Sequence, residues 1–93
     1  MFKKTLFTIA AAAALAGCVA RPTPLPEPSS SDAALYRSKC GSCHAIAHPK
    51  RHTAAQWEHM LEVMERQMKH RRMEPLTEEE RSAILEYLKR NSK

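Results

Sequence analysis

Two common structural signatures are missing from this sequence. No stretch alternates apolar and polar residues with period two, so no β-strand is expected. No apolar run reaches bilayer length either. The longest, Leu6 to Ala16 with five consecutive alanines from Ala10 to Ala14, is about half of the roughly 20 residues that a membrane-spanning helix needs. The chain also lacks an internal repeat, an acid–base pair beside a pocket and an activated nucleophile, so it is not expected to be an enzyme. With 93 residues it can hold one domain at most. Residues 1–31 do not have the composition of a domain. The remaining stretch, 32–93, buries too little surface to be secure without a disulfide, a metal, a cofactor or a partner. Multidomain enzymes, doubly wound sheets and barrels are excluded on length.

What is present begins at the N-terminus. Lys3 and Lys4 precede the apolar stretch, the arrangement of a signal peptide rather than an anchor helix. The stretch closes with Leu15-Ala16-Gly17-Cys18, which resembles the lipobox of bacterial lipoproteins. The resemblance implies that residues 1–17 are removed and that Cys18 becomes the lipid-bearing first residue, held firmly by several acyl chains. It also implies a site on the periplasmic side, and Val19 in place of the Asp of inner-membrane retention points to the outer membrane. Loss of Lys3 and Lys4 brings the formal charge from +5 to +3, which carries no nucleic-acid signal. Residues 18–31 then form a linker. From Arg21 to Ser30, Pro recurs at every second place through the middle, fixing extended backbone and predicting a semi-rigid spacer of about 30 Å.

The rest reads as three helices, an all-α fold. Ser31-Asp32 can cap the first, which runs into the cysteine cluster with Leu35 and Tyr36 on its apolar side. Thr53-Ala54-Ala55-Gln56 is a capping box, and Trp57, Leu61, Met64 and Met68 follow it as one apolar stripe. Thr77-Glu78-Glu79-Glu80 is a second capping box, with Ala83, Ile84, Tyr87 and Leu88 on one face behind it. Pro75 separates the last two helices.

The chemistry lies in Cys40-Gly41-Ser42-Cys43-His44. C-x-x-C-H is the attachment signal for c-type haem. Two thiols three residues apart at a helix end can reach the vinyl groups of adjacent pyrroles, and the next residue, His44, then lies under the iron. Cysteine usage agrees: Cys18 goes to lipid, Cys40 and Cys43 to haem, and none is left for a disulfide. Two other chemistries use parts of this pattern. C-x-x-C marks thioredoxin-like redox sites, but those need a strand–helix–strand setting. Structural zinc takes Cys₂His₂ sets, and His44, His48 and His52 follow the cysteines at four-residue steps, although Pro49 breaks any helix across them.

With these residues in place, the domain resembles a small monohaem class I cytochrome c of the compact proteobacterial kind. The matching positions are Tyr36, Cys40, Cys43, His44, Trp57, Met64, Leu76, Thr77, Glu79, Glu80, Tyr87 and Leu88, spread over essentially all of 32–93. The resemblance implies a three-helix cytochrome c-like fold in which the first and last helices cross, Leu35 or Tyr36 meeting Ile84, Tyr87 or Leu88. It also implies one covalent haem c filling the gap. Only about thirty residues separate His44 from the last helix, so the long loop that carries the distal methionine in larger members has no room.

The distal ligand is open on sequence alone. Thioether sulfur suits low-spin haem iron, and Met60, Met64, Met68 and Met73 follow His44. Met60 is off the stripe and ranks last; the order is Met68, then Met64, then Met73, with a bis-His site through His59 or His70 behind them. The cluster Lys69-His70-Arg71-Arg72 and the run Glu78 to Glu80 read as solvated helix ends that complement the helix dipoles. The expected function is a monomeric, membrane-anchored one-electron carrier between redox proteins. The other reading is a zinc-binding or haem-based ligand-sensing lipoprotein.

Overall fold

The structure is a computed structural model that describes residues 23–93; the expected signal peptide and the Cys18 anchor lie outside them. Three α-helices occur in chain order: α1 over Ser31–Cys40, α2 over Ala54–His70 and α3 over Glu78–Arg90, with a 3-10 turn at Pro49–Arg51 before α2. No strand is present among the described residues. The fold is all-α, as the absence of a period-two pattern implied.

Capping residues set the helix starts. Thr53 and Gln56 close a reciprocal box at α2, the Thr53 hydroxyl accepting from the Gln56 amide at 3.2 Å and the Gln56 side chain accepting from the Thr53 amide at 2.8 Å. Thr77 and Glu80 do the same at α3, at 3.1 and 2.9 Å. Each box satisfies two amides that have no partner inside the helix. At α1 the cap is Ser30, one place before the expected pair, its hydroxyl accepting from the Ala33 amide at 3.1 Å. Asp32 then falls in the first turn, where a carboxylate complements the dipole.

Packing follows from the apolar faces. Helix α3 lies against both α1 and α2, and the buried core is Ala33 and Tyr36 from α1, Trp57 and Leu61 from α2, and Ile84, Tyr87 and Leu88 from α3. The crossing of α1 and α3 centres on Tyr36 and Tyr87, whose rings are 5.8 Å apart. Tyr36 also meets Trp57 edge-on at 6.3 Å. The stripe on α2 is buried only as far as Leu61; Met64 and Met68 are half-buried, because that end of α2 faces a cleft.

The spacer expectation is corrected for the second half of the proline segment. Leu25 packs on the core, and the Tyr87 hydroxyl donates to the Pro26 carbonyl at 2.9 Å. The Arg37 guanidinium donates to the Pro28 carbonyl at 3.3 Å. Glu27, at a φ of 51°, receives two bonds from Arg90 at 2.9 and 3.0 Å and one from Asn91 at 2.7 Å. The segment is clasped to the end of α3 by partners about sixty residues away. Arg90 and Asn91 hold the Glu27 carboxyl down to about 2 from an ordinary 4.5. A depressed carboxylate contributes stability that is complete above the ordinary value and disappears as pH falls through the lowered one. Glu27→Gln is therefore expected to flatten the loss of melting temperature between about pH 4.5 and 2, read by circular dichroism.

Candidate haem site

Helix α1 delivers the first cysteine and stops. Cys40 is its last residue, and the Gly41 amide caps it by donating to the Arg37 carbonyl at 3.0 Å. A Cβ at position 41 would lie 2.5 Å from that carbonyl oxygen, so the turn that swings Cys43 and His44 away from the helix axis depends on glycine. Cys40 is half-buried, Cys43 is exposed, and both are free thiols. Burial pushes the Cys40 thiol up to about 11, so this sulfur stays protonated inside the folded chain. The His44 ring is exposed, with Nδ1 at 2.8 Å from the Ala45 carbonyl. A carbonyl can only accept, so Nδ1 carries a proton, and Nε2 is the ring nitrogen left open to a metal.

The loop after His44 is held by the two large aromatic residues of the core. The Tyr36 hydroxyl donates to the Ala47 carbonyl at 2.7 Å, and the Trp57 indole N–H donates to the Pro49 carbonyl at 2.7 Å. Desolvation raises the Tyr36 phenol well above its usual range, so it remains a donor. These anchors were not legible in the sequence, where both residues read only as apolar pattern positions. An aromatic residue with a polar tip a few places from a loop that lacks amide partners is the signal that could have found them.

Between the cysteine turn and α2 lies a cavity of about 210 Å³, lined by Cys40, Cys43, His44, Met60, Val63, Met64, Met68 and Met73, with Lys39, Ser42, Gln67 and Arg71 also contributing. An inner pocket of about 60 Å³ shares Cys40, His44, Met60 and Met64 with it and ends on Tyr36, His52 and Trp57. All four methionines after His44 therefore face one cleft. Met60, set aside as off the stripe, lines both voids: it lies three residues after Trp57 and four before Met64, within the broad face that an amphipathic helix presents. Met73 reaches the turn itself, its sulfur 3.7 Å from the Cys43 sulfur.

The histidines divide clearly. His59 and His70 are exposed and line none of the cavities described. His48 caps the 3-10 turn, its Nδ1 accepting from the Lys50 amide at 3.1 Å. His52 packs edge-on against Trp57 at 4.8 Å. The zinc reading is corrected accordingly. Among the described residues, no group of three or more His, Cys, Asp or Glu side chains is placed to hold a metal ion, because Pro49 turns the chain between His48 and His52.

The residues fit a haem. Two thiols and one imidazole with a free Nε2 occupy one wall, soft thioethers occupy the other, and the lining is otherwise largely apolar. The void is smaller than the roughly 300–1,000 Å³ of usual cofactor pockets, but its far wall consists of methionines, the unbranched side chains that yield most readily. Fold and site together define a c-type cytochrome domain. A family model described as dihaem cytochrome c matches residues 36–93. The chain belongs to that family. No curated protein and no solved structure matches the chain. The family is described as a dihaem one rather than the class I kind expected, and this chain carries a single C-x-x-C-H.

Two outcomes follow. Cys40→Ala combined with Cys43→Ala is expected to give a haem-free, protease-sensitive chain; full helicity by circular dichroism in that variant would contradict a fold completed by the cofactor. Tyr36→Phe keeps the ring but removes the donor to Ala47, and is expected to cost the haem-loaded protein about 1 kcal/mol in chemical denaturation.

Proposed function

We propose that this chain is a one-electron carrier with one covalent haem c, attached through Cys40 and Cys43 and ligated by His44 on one face and Met68 on the other. Met64 and Met73 are the alternatives to Met68. The observation that carries the reading is that Cys40, Cys43 and His44 share a wall of one apolar cleft whose opposite wall is methionine. A haem held there supplies reversible one-electron chemistry at its iron. The chain's own residues bind and orient: the two thiols fix the ring covalently, the Ala45 carbonyl orients His44 through Nδ1, and Tyr36 and Trp57 hold the loop behind it. Met60, Val63 and Met64 exclude water from the inner face.

The distal order is supported by position. Met73 touches the Cys43 sulfur, which supports an edge position in the cleft for it rather than a central one. Met64 is held deeper, lining the inner pocket as well. Met68, two residues from the end of α2, has more freedom to move onto iron. The single C-x-x-C-H supports one haem per chain.

In this reading the mature chain is a lipoprotein on the periplasmic side, anchored to the outer membrane through Cys18, acting as a monomer among redox proteins without catalysis of its own. No helix among the described residues is long and apolar enough to cross a membrane.

The test is the mature protein itself. Its mass is expected to exceed the polypeptide by one haem in addition to the lipid, with a sharp low-spin Soret band that survives denaturation. A mass increase of two haems, or a colourless chain, would overturn the reading. For the ligand, Met68→Leu, Met64→Leu and Met73→Leu each conserve volume at a cost usually below about 1.5 kcal/mol. Only Met68→Leu is expected to abolish the weak long-wavelength sulfur-to-iron band of the oxidised protein, lower the potential and admit carbon monoxide. If the unmodified protein is low-spin without that band, the site is bis-His.

A further inference from the structure

The segment that leads into the domain is held at every residue from 25 to 28. Leu25 packs on the core. Pro26 and Pro28 have no amide to donate, and helices α3 and α1 take their carbonyls, the Tyr87 hydroxyl donating to Pro26 at 2.9 Å and the Arg37 guanidinium to Pro28 at 3.3 Å. Between them the Glu27 carboxylate accepts from Arg90 at 2.9 and 3.0 Å and from Asn91 at 2.7 Å. Arg90 is itself fixed by Asp32 of α1 at 2.9 Å and lies over the Tyr87 ring at 5.5 Å. Glu27 keeps a φ of 51°, a left-handed conformation that a residue with a side chain holds where its surroundings impose it.

Glu27 and Arg90 are exposed, and exposed ion pairs contribute little to stability. What the contacts do fix is the point at which the linker becomes part of the domain. Leu25 is seven residues on from Cys18, a span of at most about 25 Å. With residues 25–30 released, the chain would run free to Ser31, thirteen residues on, a span of at most about 45 Å. The clasp therefore removes nearly half of the reach. Cys40 closes the other end of α1, ten residues from Ser31 or about 15 Å along the helix, so the cleft stays clear of the tether.

We infer that this clasp sets the length of the tether and so confines the cleft to redox partners seated in or on the membrane that carries the anchor; the inference rests on the haem and the Cys18 lipid proposed above. The effective concentration of a tethered domain at its partner falls roughly as the three-halves power of tether length. Shortening thirteen free residues to seven thus raises encounters with a partner on the same membrane about twofold to threefold. It also withdraws the domain from partners that stand farther out. A purely stabilising clasp would change melting behaviour and leave that reach as it was.

The test uses the lipidated, haem-loaded chain in phosphatidylethanolamine vesicles containing a lipid whose headgroup carries ruthenium(II) tris-bipyridine. A flash excites the complex, which gives one electron to ferric haem and becomes ruthenium(III); the yield of ferrous haem reports encounters at the membrane surface. Two variants open the clasp from opposite sides. One is Leu25→Gly, Pro26→Ser, Glu27→Gly and Pro28→Ser, and the other is Tyr87→Phe with Arg90→Gln. Opening is read by hydrogen exchange at the Ser30 amide, which bonds the Glu27 carbonyl at 2.9 Å in the closed segment. Both variants are expected to exchange faster there and to lose about twofold in yield. Deleting residues 19–24 from the first variant is expected to restore the parental yield. The same complex free in solution should reduce all four proteins alike.

Variants that open and keep the parental yield would overturn the inference, as would a yield that the deletion does not restore. So would a parent whose Ser30 amide exchanges like a free peptide, or variants that stay protected there, since the named groups would then not hold the segment. A loss seen equally with the free complex would assign the effect to the haem site and not to reach. The mass taken before reconstitution separates these results from failure of the earlier reading: a chain without haem or without lipid fails that reading, whereas a chain with both whose yield ignores the clasp fails this inference alone.

Discussion

Tyr36 is the side chain on which the arrangement turns. Its ring meets Trp57 of α2 and Tyr87 of α3, so one residue of α1 joins all three helices. Its hydroxyl holds the Ala47 carbonyl, three residues beyond His44. A buried aromatic residue is one of the largest packing contributions available to a chain this small. Here the same residue also ties the core to the loop that follows the C-x-x-C-H turn. Four residues after Tyr36, α1 ends at Cys40, so the helix that packs the core is also the one that presents the first thiol. Core and site are built on a single short element.

From that constraint the cleft follows. Helix α3 packs on both other helices, while α1 and α2 meet through Tyr36 and Trp57 and diverge beyond them. The divergence leaves a space bounded by the cysteine turn on one side and the methionine end of α2 on the other. Methionine there is adaptable packing, and its thioether sulfur is the kind of soft donor that suits haem iron. A core of seven buried apolar residues is thin for a free-standing domain, and a covalently attached porphyrin would add the apolar surface that the chain does not supply itself.

Much of this was legible in the sequence because it is local. Both capping boxes, the three helices, the apolar face of α3 and the C-x-x-C-H turn depend on residues within one or two helical turns of each other. What was not legible depends on distant partners. Leu25 to Pro28 reads as free polyproline because nothing nearby in sequence binds it; Tyr87, Arg90 and Asn91 do so only after folding. Ser30 takes the cap from Ser31-Asp32 because the chain turns back at Glu27, whose carbonyl accepts from the Ser30 amide at 2.9 Å. Met60 was set aside because a narrow stripe was drawn where the helix buries a broad face.

The central claim is that haem completes this fold between the cysteine turn and α2. A crystal structure of the mature, haem-loaded chain tests it most directly. The account predicts one porphyrin in that cleft, thioether-bonded to Cys40 and Cys43, with His44 Nε2 on iron and the rings of Tyr36, Trp57 and Tyr87 still in contact behind it. A porphyrin seated elsewhere on the chain, or a cleft that closes with the cysteines holding a different group, would contradict it.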